Sequence, residues 1–568
     1  MRFLTAAILF VVSATLILVG IAQRTVWHPP ANHVSVVSVD TKTPLIVIKS
    51  SALRQFEGNP LVSVKTTGKS FIASGRQADV DAWVGSTNHV VVAALSGSDN
   101  SKLIATAVAG NGKLANPAGS DLWRTEVNAV GDLKSRIKLS DKTAVLVASD
   151  GFADAPTQIS LTWRIVFDPT PSNVLIIVGG IMLLAAVILN WLAWYQMRKE
   201  RGPRRRTPRA PQGPKLRRRR TRSSAPVRGR RSARNLSVAV TGLIVAGSLT
   251  GCSVLPGSAS PSPALSGATS IQQPPVVTAA QLHTIVQRIA SVVALADAGR
   301  DSKILATRVS GPAFDSRKAH YILQKASKKV KGLPLIASQK LSLLLPAASN
   351  LWPRTVMVIS STGAADNLPQ MLVLQQKTPR SQYQLWYNIG MLPGAKLPVV
   401  NTPAVGAIPV AADSLFLKIA PNALPTAFGD LIDNGQSSLS APMFDVSDDE
   451  YYKQVAASQQ SQATTLDNAT IKMKHLLGNP NVISLSTVNS GALVAVFMND
   501  KYVIKPKDRT QAVAVSGNEK LLLGSAGSST GIKSFYGSML LFYVPAIASK
   551  DKIITLGATQ VLLSVKSL

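Results

Sequence analysis

The chain has 568 residues, 46% of them hydrophobic, with a single Cys and a net charge of +32. That composition excludes a wholly disordered chain, a disulfide framework and a Cys-cluster zinc site. The charge is concentrated: Arg198–Arg234 holds seventeen Lys and Arg against one acid, Glu200, half of the total. Two mildly basic bodies joined by a polybasic strip account for the whole-chain balance.

Phe3–Ala22 carries no charge over twenty residues. At 1.5 Å per residue that spans about 30 Å, the thickness of a hydrocarbon core. Residues 1–23 therefore read as an N-terminal anchor, with a cleaved signal peptide as the competing reading. Residues 24–172 contain Val-, Ile- and Thr-rich runs at 34–40, 44–50, 89–97, 102–110, 143–151 and 159–167, separated by Gly, Ser and Asn turns. Their alternation predicts a β-rich domain, a small sandwich.

Residues 173–196 read as a transmembrane helix, with Trp191, Trp194 and Tyr195 as an interfacial belt and Met197-Arg198-Lys199 directly after. The polybasic segment 197–235 follows, including Arg204, Arg205, Arg206, Arg217, Arg218, Arg219 and Arg220. Its Lys and Arg predict a cytoplasmic location and contact with anionic lipid. Its five Pro exclude a stable helix, and it lacks aromatic residues for stacking bases, so nucleic acid is not an expected partner. With this strip inside, residues 24–172 are expected outside the cell membrane.

Residues 236–255 are apolar and start beside Arg228, Arg230, Arg231 and Arg234. They read either as a third span or as a signal segment, and both place residues 253–568 outside. Leu249, Thr250, Gly251 and Cys252 resemble a bacterial lipobox, and the chain's one Cys falls there. The resemblance implies a diacylglycerol thioether on Cys252 and cleavage before it. Lipobox signals are normally N-terminal and this one is internal, so the whole chain and a cleaved pair both remain open. A Ser-, Pro- and Gly-rich linker, 256–276, comes next.

Beyond the linker, helices are expected at Thr278–Ala298 and Ser316–Lys331. Strands are expected at Leu341–Leu345, Arg354–Ser360, Gln370–Gln376 and Gln382–Ile389. The order then repeats. Asp413–Lys418 leads to a helix at Ala423–Asn434 and a long polar helix at Asp448–Leu477. Six strands follow, from Val482 to Ser567. This predicts tandem α+β modules, 277–400 and 401–568. Their element order resembles the nuclear-transport-factor-like, curved-sheet folds. Ser490-Gly491-Ala492-Leu493-Val494, Tyr543-Val544-Pro545 and Leu556-Gly557-Ala558 also resemble a family of actinobacterial cell-envelope lipoproteins of unknown function. That resemblance implies an envelope location and carries no catalytic residues.

The search for chemistry returns little. None of the six His makes a His-x-x-x-His pair. Gly527-Ser528-Ser529-Thr530-Gly531 fits G-x-S-x-G, yet no His follows Ser529 to serve as its base. Asp445, Asp448, Asp449 and Glu450 read as an acidic helix N-terminus rather than a calcium loop. No cofactor or metal is expected. The reading is a multi-domain membrane protein: an extracytoplasmic β-rich domain plus C-terminal α+β tandem modules, with two or three transmembrane or signal helices. Its expected role is non-catalytic, presenting binding modules to an envelope protein or anionic wall polymer. The alternative is an envelope enzyme with a pocket around His320 or His475 and a nearby Asp.

Overall fold

The computed structural model describes residues 2–27, 30–39, 42–95, 102–140, 142–165, 170–200, 273–363, 368–447, 449–465, 468–508 and 510–568. Two compact units emerge, Met1–His28 with Asp168–Ser270, and Pro29–Phe167 with Ile271–Leu568.

Among its described residues the first unit contains two helices, α1 (Arg2–Thr25) and α4 (Thr170–Glu200). Both are long and apolar enough to cross a membrane. They pack antiparallel through small residues: a Cβ on Gly20 would lie 2.7 Å from Ile176, and one on Gly179 would lie 2.7 Å from Ile17. Glycine permits this approach, and close backbones supply dispersion contacts where lipid gives no hydrophobic drive. At the far end of α4, Trp191 stacks near Tyr195 and the Arg198 guanidinium lies 3.5 Å over the Trp194 ring.

The second unit begins with a sandwich. Its elements are β1 (Asn32–Ser38), β2 (Leu45–Ile48), α2 (Ser50–Leu53), β3 (Leu61–Lys65), β4 (Lys69–Arg76), α3 (Gln77–Val84), β5 (Thr87–Ala94), β6 (Leu103–Asn111), β7 (Thr125–Val130), β8 (Leu133–Arg136), β9 (Thr143–Ala148) and β10 (Gln158–Arg164). One sheet runs β1-β10-β3-β8, the other β6-β5-β2-β9-β4-β7. Val62, Val64, Ile159 and Leu161 of the first sheet meet Ile46, Ile72, Val90 and Val147 of the second in a buried core. The six strand runs read from the sequence become β1, β2, β5, β6, β9 and β10. Four further strands, β3, β4, β7 and β8, lack a long apolar run. The pairing of β2 with β5 is parallel, closed by a crossover that includes α3.

The larger sheet is buried on its other face as well. There Leu45, Phe71 and Leu146 pack with Val80, Trp83 and Val84 of α3, with Leu122 and Trp123, and with Trp352 from the distant C-terminal half.

The C-terminal half opens with α5 (Ala279–Gly299), α6 (Ser302–Leu305) and α7 (Gly311–Ala326), then β11 (Lys340–Pro346), β12 (Arg354–Ser361), β13 (Gln370–Gln376) and β14 (Gln384–Gly390). A Thr278–Gln281 capping box starts α5. This helix is the third long enough and apolar enough to cross a membrane. Its Leu282, Ile285, Val286, Ile289 and Val293 nevertheless pack into the protein core. Helix α7 starts five residues before the expected Ser316, because Pro312 serves as a first-turn residue.

The second module has α8 (Leu424–Asn434), α9 (Glu450–Thr465), β15 (Ala469–Ser486), β16 (Ala492–Pro506), β17 (Val513–Ala514), α10 (Gly517–Leu523), β18 (Gly527–Ser528), β19 (Ile532–Val544) and β20 (Ile554–Ser567). The main sheets are antiparallel meanders, β11-β12-β13-β14 and β15-β16-β19-β20. Helices precede a four-stranded sheet in each module; of the six strands expected from Val482 to Ser567, those at Ala492–Asn499 and Lys501–Lys505 are one continuous strand, β16, and Gln511–Val515 shortens to β17 outside the main sheet. The long helix to Leu477 is not formed. Helix α9 ends at Thr465, and 469–475 is strand, with Ile471, Met473 and His475 more buried than Lys472 and Lys474. That period-two alternation outweighs the helical preference of the preceding Gln- and Ala-rich stretch. Asp413–Lys418 leads into α8 as expected. It forms turns, with one bridge from Leu417 to Ala546.

The two meanders join edge to edge. Leu392 N–H donates to Leu556 O at 3.0 Å, and Gly390 N–H to Thr559 Oγ1 at 2.8 Å. One apolar core runs through both modules, from Leu282 and Val286 to Leu541 and Leu556.

Candidate functional site

The densest buried polar chemistry lies where the sandwich meets the C-terminal half. Asp79, in the first turn of α3, is buried. Its carboxylate accepts from Arg76 Nε at 2.9 Å and Nη2 at 2.7 Å, and from Arg354 Nη2 at 2.7 Å. The remaining Arg76 Nη1 donates to Pro274 O and Pro275 O at 3.0 and 3.1 Å. Arg354 opens β12 with a fully buried side chain whose guanidinium also lies 3.7 Å over the Trp352 ring. Burial lowers its proton affinity, and the Asp79 charge opposes that shift.

A second buried carboxylate, Asp121, sits in the loop before β7. It accepts from Arg308 Nη1 at 2.5 Å, from Arg288 Nη1 at 3.1 Å and from the Tyr383 backbone N–H at 2.8 Å. The Asp121 side chain is fully buried, the Arg308 side chain nearly so, and Arg288 is 41% exposed. Arg380 makes the third contact. Its guanidinium donates to Trp83 O at 2.8 Å, Val84 O at 3.1 Å and Thr87 Oγ1 at 2.7 Å, and also to Lys113 O.

Apart from the local Arg76–Asp79 and Arg354–Trp352 contacts, each of these joins residues more than 160 positions apart. Each carboxylate is met by at least two guanidinium groups, which offsets buried charge that would otherwise be costly, while Arg354 Nε and Nη1 lack a hydrogen-bond partner among the described residues. Charge-assisted, partly bidentate bonds of this kind fix the mutual orientation of the two halves.

The sequence reading singled out none of the seven charged residues here, Arg76, Asp79, Asp121, Arg288, Arg308, Arg354 and Arg380, as a site residue; Arg354 entered it only as the first residue of an expected strand. A signal was present in Arg354, a charge beside the otherwise apolar run of β12, and in the Arg76–Asp79 spacing. Neither discloses a partner hundreds of residues away.

The His475 neighbourhood does contain the nearby acid named in the enzyme reading. His475 Nδ1 lies 2.7 Å from Asp500 Oδ1, and both side chains are buried. The other Asp500 oxygen accepts from Ser538 and, at 2.9 Å, from Gln560 Nε2. His475 Nε2 faces Gln459 Nε2 at 3.2 Å and Asp433 Oδ1 at 3.7 Å. A nucleophilic serine has to be hydrogen-bonded to its base, and Ser538 is bonded to the acid instead. The cluster is a satisfied polar knot linking α8, α9 and the sheet.

His283 on α5 contacts Gln287, and His320 on α7 contacts Lys331 O at 2.7 Å. Ser529 lies in an exposed turn whose neighbours Ser528 and Thr530 bond the chain end at Ser567 and Leu568. Asp449 caps α9 through the Tyr452 N–H at 2.9 Å and accepts from Thr555. Among the described residues, no group of three or more His, Cys, Asp or Glu is arranged to hold a metal ion. Cys252, Leu249, Thr250, Gly251 and Arg204–Arg206 and Arg217–Arg220 lie outside the described residues.

The fold defines a β-rich, multi-domain protein with helices long and apolar enough to span a membrane. A family model described as a domain of unknown function (DUF8094) matches residues 273–564, and the chain belongs to that family. The match covers both α+β modules and stops short of the sandwich. Comparison with curated proteins and with solved structures finds no match.

Proposed function

We propose that this chain is a membrane-anchored, non-catalytic cell-envelope protein, of the actinobacterial envelope lipoprotein type. It presents one extracytoplasmic body to another envelope protein or an anionic wall polymer. The observation that carries the reading is the buried Asp79 and Asp121 junction, which makes Pro29–Phe167 and Ile271–Leu568 one body. Two segments packed through buried side chains have to lie on the same side of a membrane.

The connectivity supports a specific topology. Helices α1 and α4 are antiparallel, so the chain leaves α1 and enters α4 at the same end of the pair. Helix α4 runs from there into the polybasic strip, which favours the cytoplasmic side. The chain then has to return between residues 201 and 270 before it joins the same body. Leu236–Leu255 is the apolar stretch suited to that return, either as a third span or as a lipobox segment anchored by lipid on Cys252. Cleavage at Cys252 would leave two chains still held by the junction.

The test is single-cysteine labelling in a Cys252→Ala background on intact cells, with a membrane-impermeant maleimide. Lys138→Cys and Lys550→Cys, both at exposed positions, are expected to label from outside. Arg218→Cys is expected to label only after permeabilisation. Labelling of Lys138→Cys and Lys550→Cys from opposite sides would overturn the reading.

A further inference from the structure

The first α+β module carries a cavity of about 450 Å³, within the usual range for small-molecule sites. It lies between the N-terminal half of α7, the segment 333–337, one face of β12–β14, and Met539, Thr559 and Val561 of the second module. Its apolar wall is built from Leu333, Leu335, Leu368, Met539 and Val561.

The polar part of the wall is unusual. Ser316 Oγ, Ser360 Oγ, Gln370 Oε1 and Asn388 Oδ1 are all buried and have no hydrogen-bond partner within the protein. All four residues line this cavity. The strand register brings three of them to one face: Ser360 pairs with Gln370, Gln370 with Gly390, and Asn388 with Leu372. Directly opposed residues, and residues two apart on one strand, project from the same side of a sheet. Ser316 is supplied from α7. Folded proteins rarely leave buried polar groups unpaired, so four in the wall of one cavity indicate a missing partner.

The wall also defines that partner's charge. Arg317, the one charged residue among the described lining residues, is already committed to Asp297 Oδ2 at 2.5 Å and to Pro334 O at 3.1 Å. The unpaired atoms are two amide oxygens, which accept, and two hydroxyls, which accept or donate. An anion would meet the amide oxygens unfavourably. A molecule with a hydrocarbon body and hydroxyl or amide N–H donors would satisfy them.

We propose that this cavity binds an uncharged amphiphile with a hydrocarbon body and one polar end rich in hydrogen-bond donors. The inference rests on reading the body as a binding module and names the chemical class of its ligand.

The probe is radiolabelled decanamide, an uncharged ten-carbon amide, in equilibrium dialysis against the full chain in lipid nanodiscs. Empty nanodiscs supply the blank, and decanoate supplies the same chain length with a charge. Saturable binding near one per chain is expected, with decanoate at least about tenfold weaker. Asn388→Leu is expected to weaken decanamide about tenfold while leaving the melting temperature near wild type. Leu368→Trp, placed at a half-exposed position of the wall, is expected to abolish binding. Binding no greater than the blank, equal affinity for decanoate, or indifference to both substitutions would overturn the proposal. The cysteine-labelling assay reads the anchoring separately, so failure here is distinguishable from failure of that reading.

Discussion

Replacing Asp121 by Ala should separate the two halves of the body. The carboxylate accepts from Arg308, Arg288 and the Tyr383 N–H, and its removal leaves the Arg308 guanidinium buried with one neutral acceptor, Tyr383 O at 3.2 Å. Breaking one side of a buried ion pair costs about 3–5 kcal/mol, because the remaining charge is desolvated and unpaired. The assay replaces Ser223–Val227 with a specific protease site, cuts the purified chain, dilutes it into excess detergent and measures co-elution. The loss corresponds to roughly 150- to 4,000-fold weaker association. Two controls locate the cause. Arg288→Ala removes the half-exposed partner, which can reach water, and should cost no more than about 1 kcal/mol. Asp121→Ala combined with Arg308→Met removes both buried charges and should recover most of the loss. If Asp121→Ala costs no more than Arg288→Ala, or if the double variant is additive, the argument from buried charge is wrong.

Arg380→Ala should weaken the same split complex by about 2–3 kcal/mol, since three backbone carbonyls and Thr87 lose their donor. Arg380→Lys should recover less than half, because an ammonium cannot span the acceptors that a planar guanidinium reaches, and full recovery would refute this. Burial raises the Asp449 carboxyl above its usual range, against the bonds from Thr555 and the Tyr452 N–H. A folded value above the unfolded one contributes stability that is present in acid and lost as pH rises through the folded value. Asp449→Asn keeps the cap and removes the titration. Its melting temperature should match wild type in acid, below the ordinary carboxylate range, and exceed it as pH rises through the raised folded value, while a difference independent of pH would contradict the linkage.

The long apolar helices α1 and α4 and the succession of helices and strands in the C-terminal half could be read without a structure because their causes are local. Twenty uncharged apolar residues are long enough as a helix to span a bilayer, and a capping box with a 3.6-residue apolar period declares α5 in sequence. Local evidence failed where two local preferences competed. The polar stretch after Asp448 favours helix, and only pairing of Ile471 with Ile504 and its neighbours made the next residues a strand. The strands β3, β4, β7 and β8 similarly take their definition from the partners that cover them.

The candidate sites were less accessible still. Asp79 meets Arg354 across 275 positions and Asp121 meets Arg308 across 187. Nothing near either carboxylate in the chain specifies which guanidinium will arrive. Ser316, Ser360, Gln370 and Asn388 are ordinary polar residues in sequence, and each becomes informative only as a buried atom without a partner in a shared wall. Hydropathy and charge by themselves determined that this chain has membrane-length helices and a polybasic connection, since those properties depend on composition over a short window. The fusion of two distant segments into one body, and the cavity within it, were decided by tertiary structure. Burial and partnership are properties of three-dimensional neighbours, and a one-dimensional pattern does not contain them.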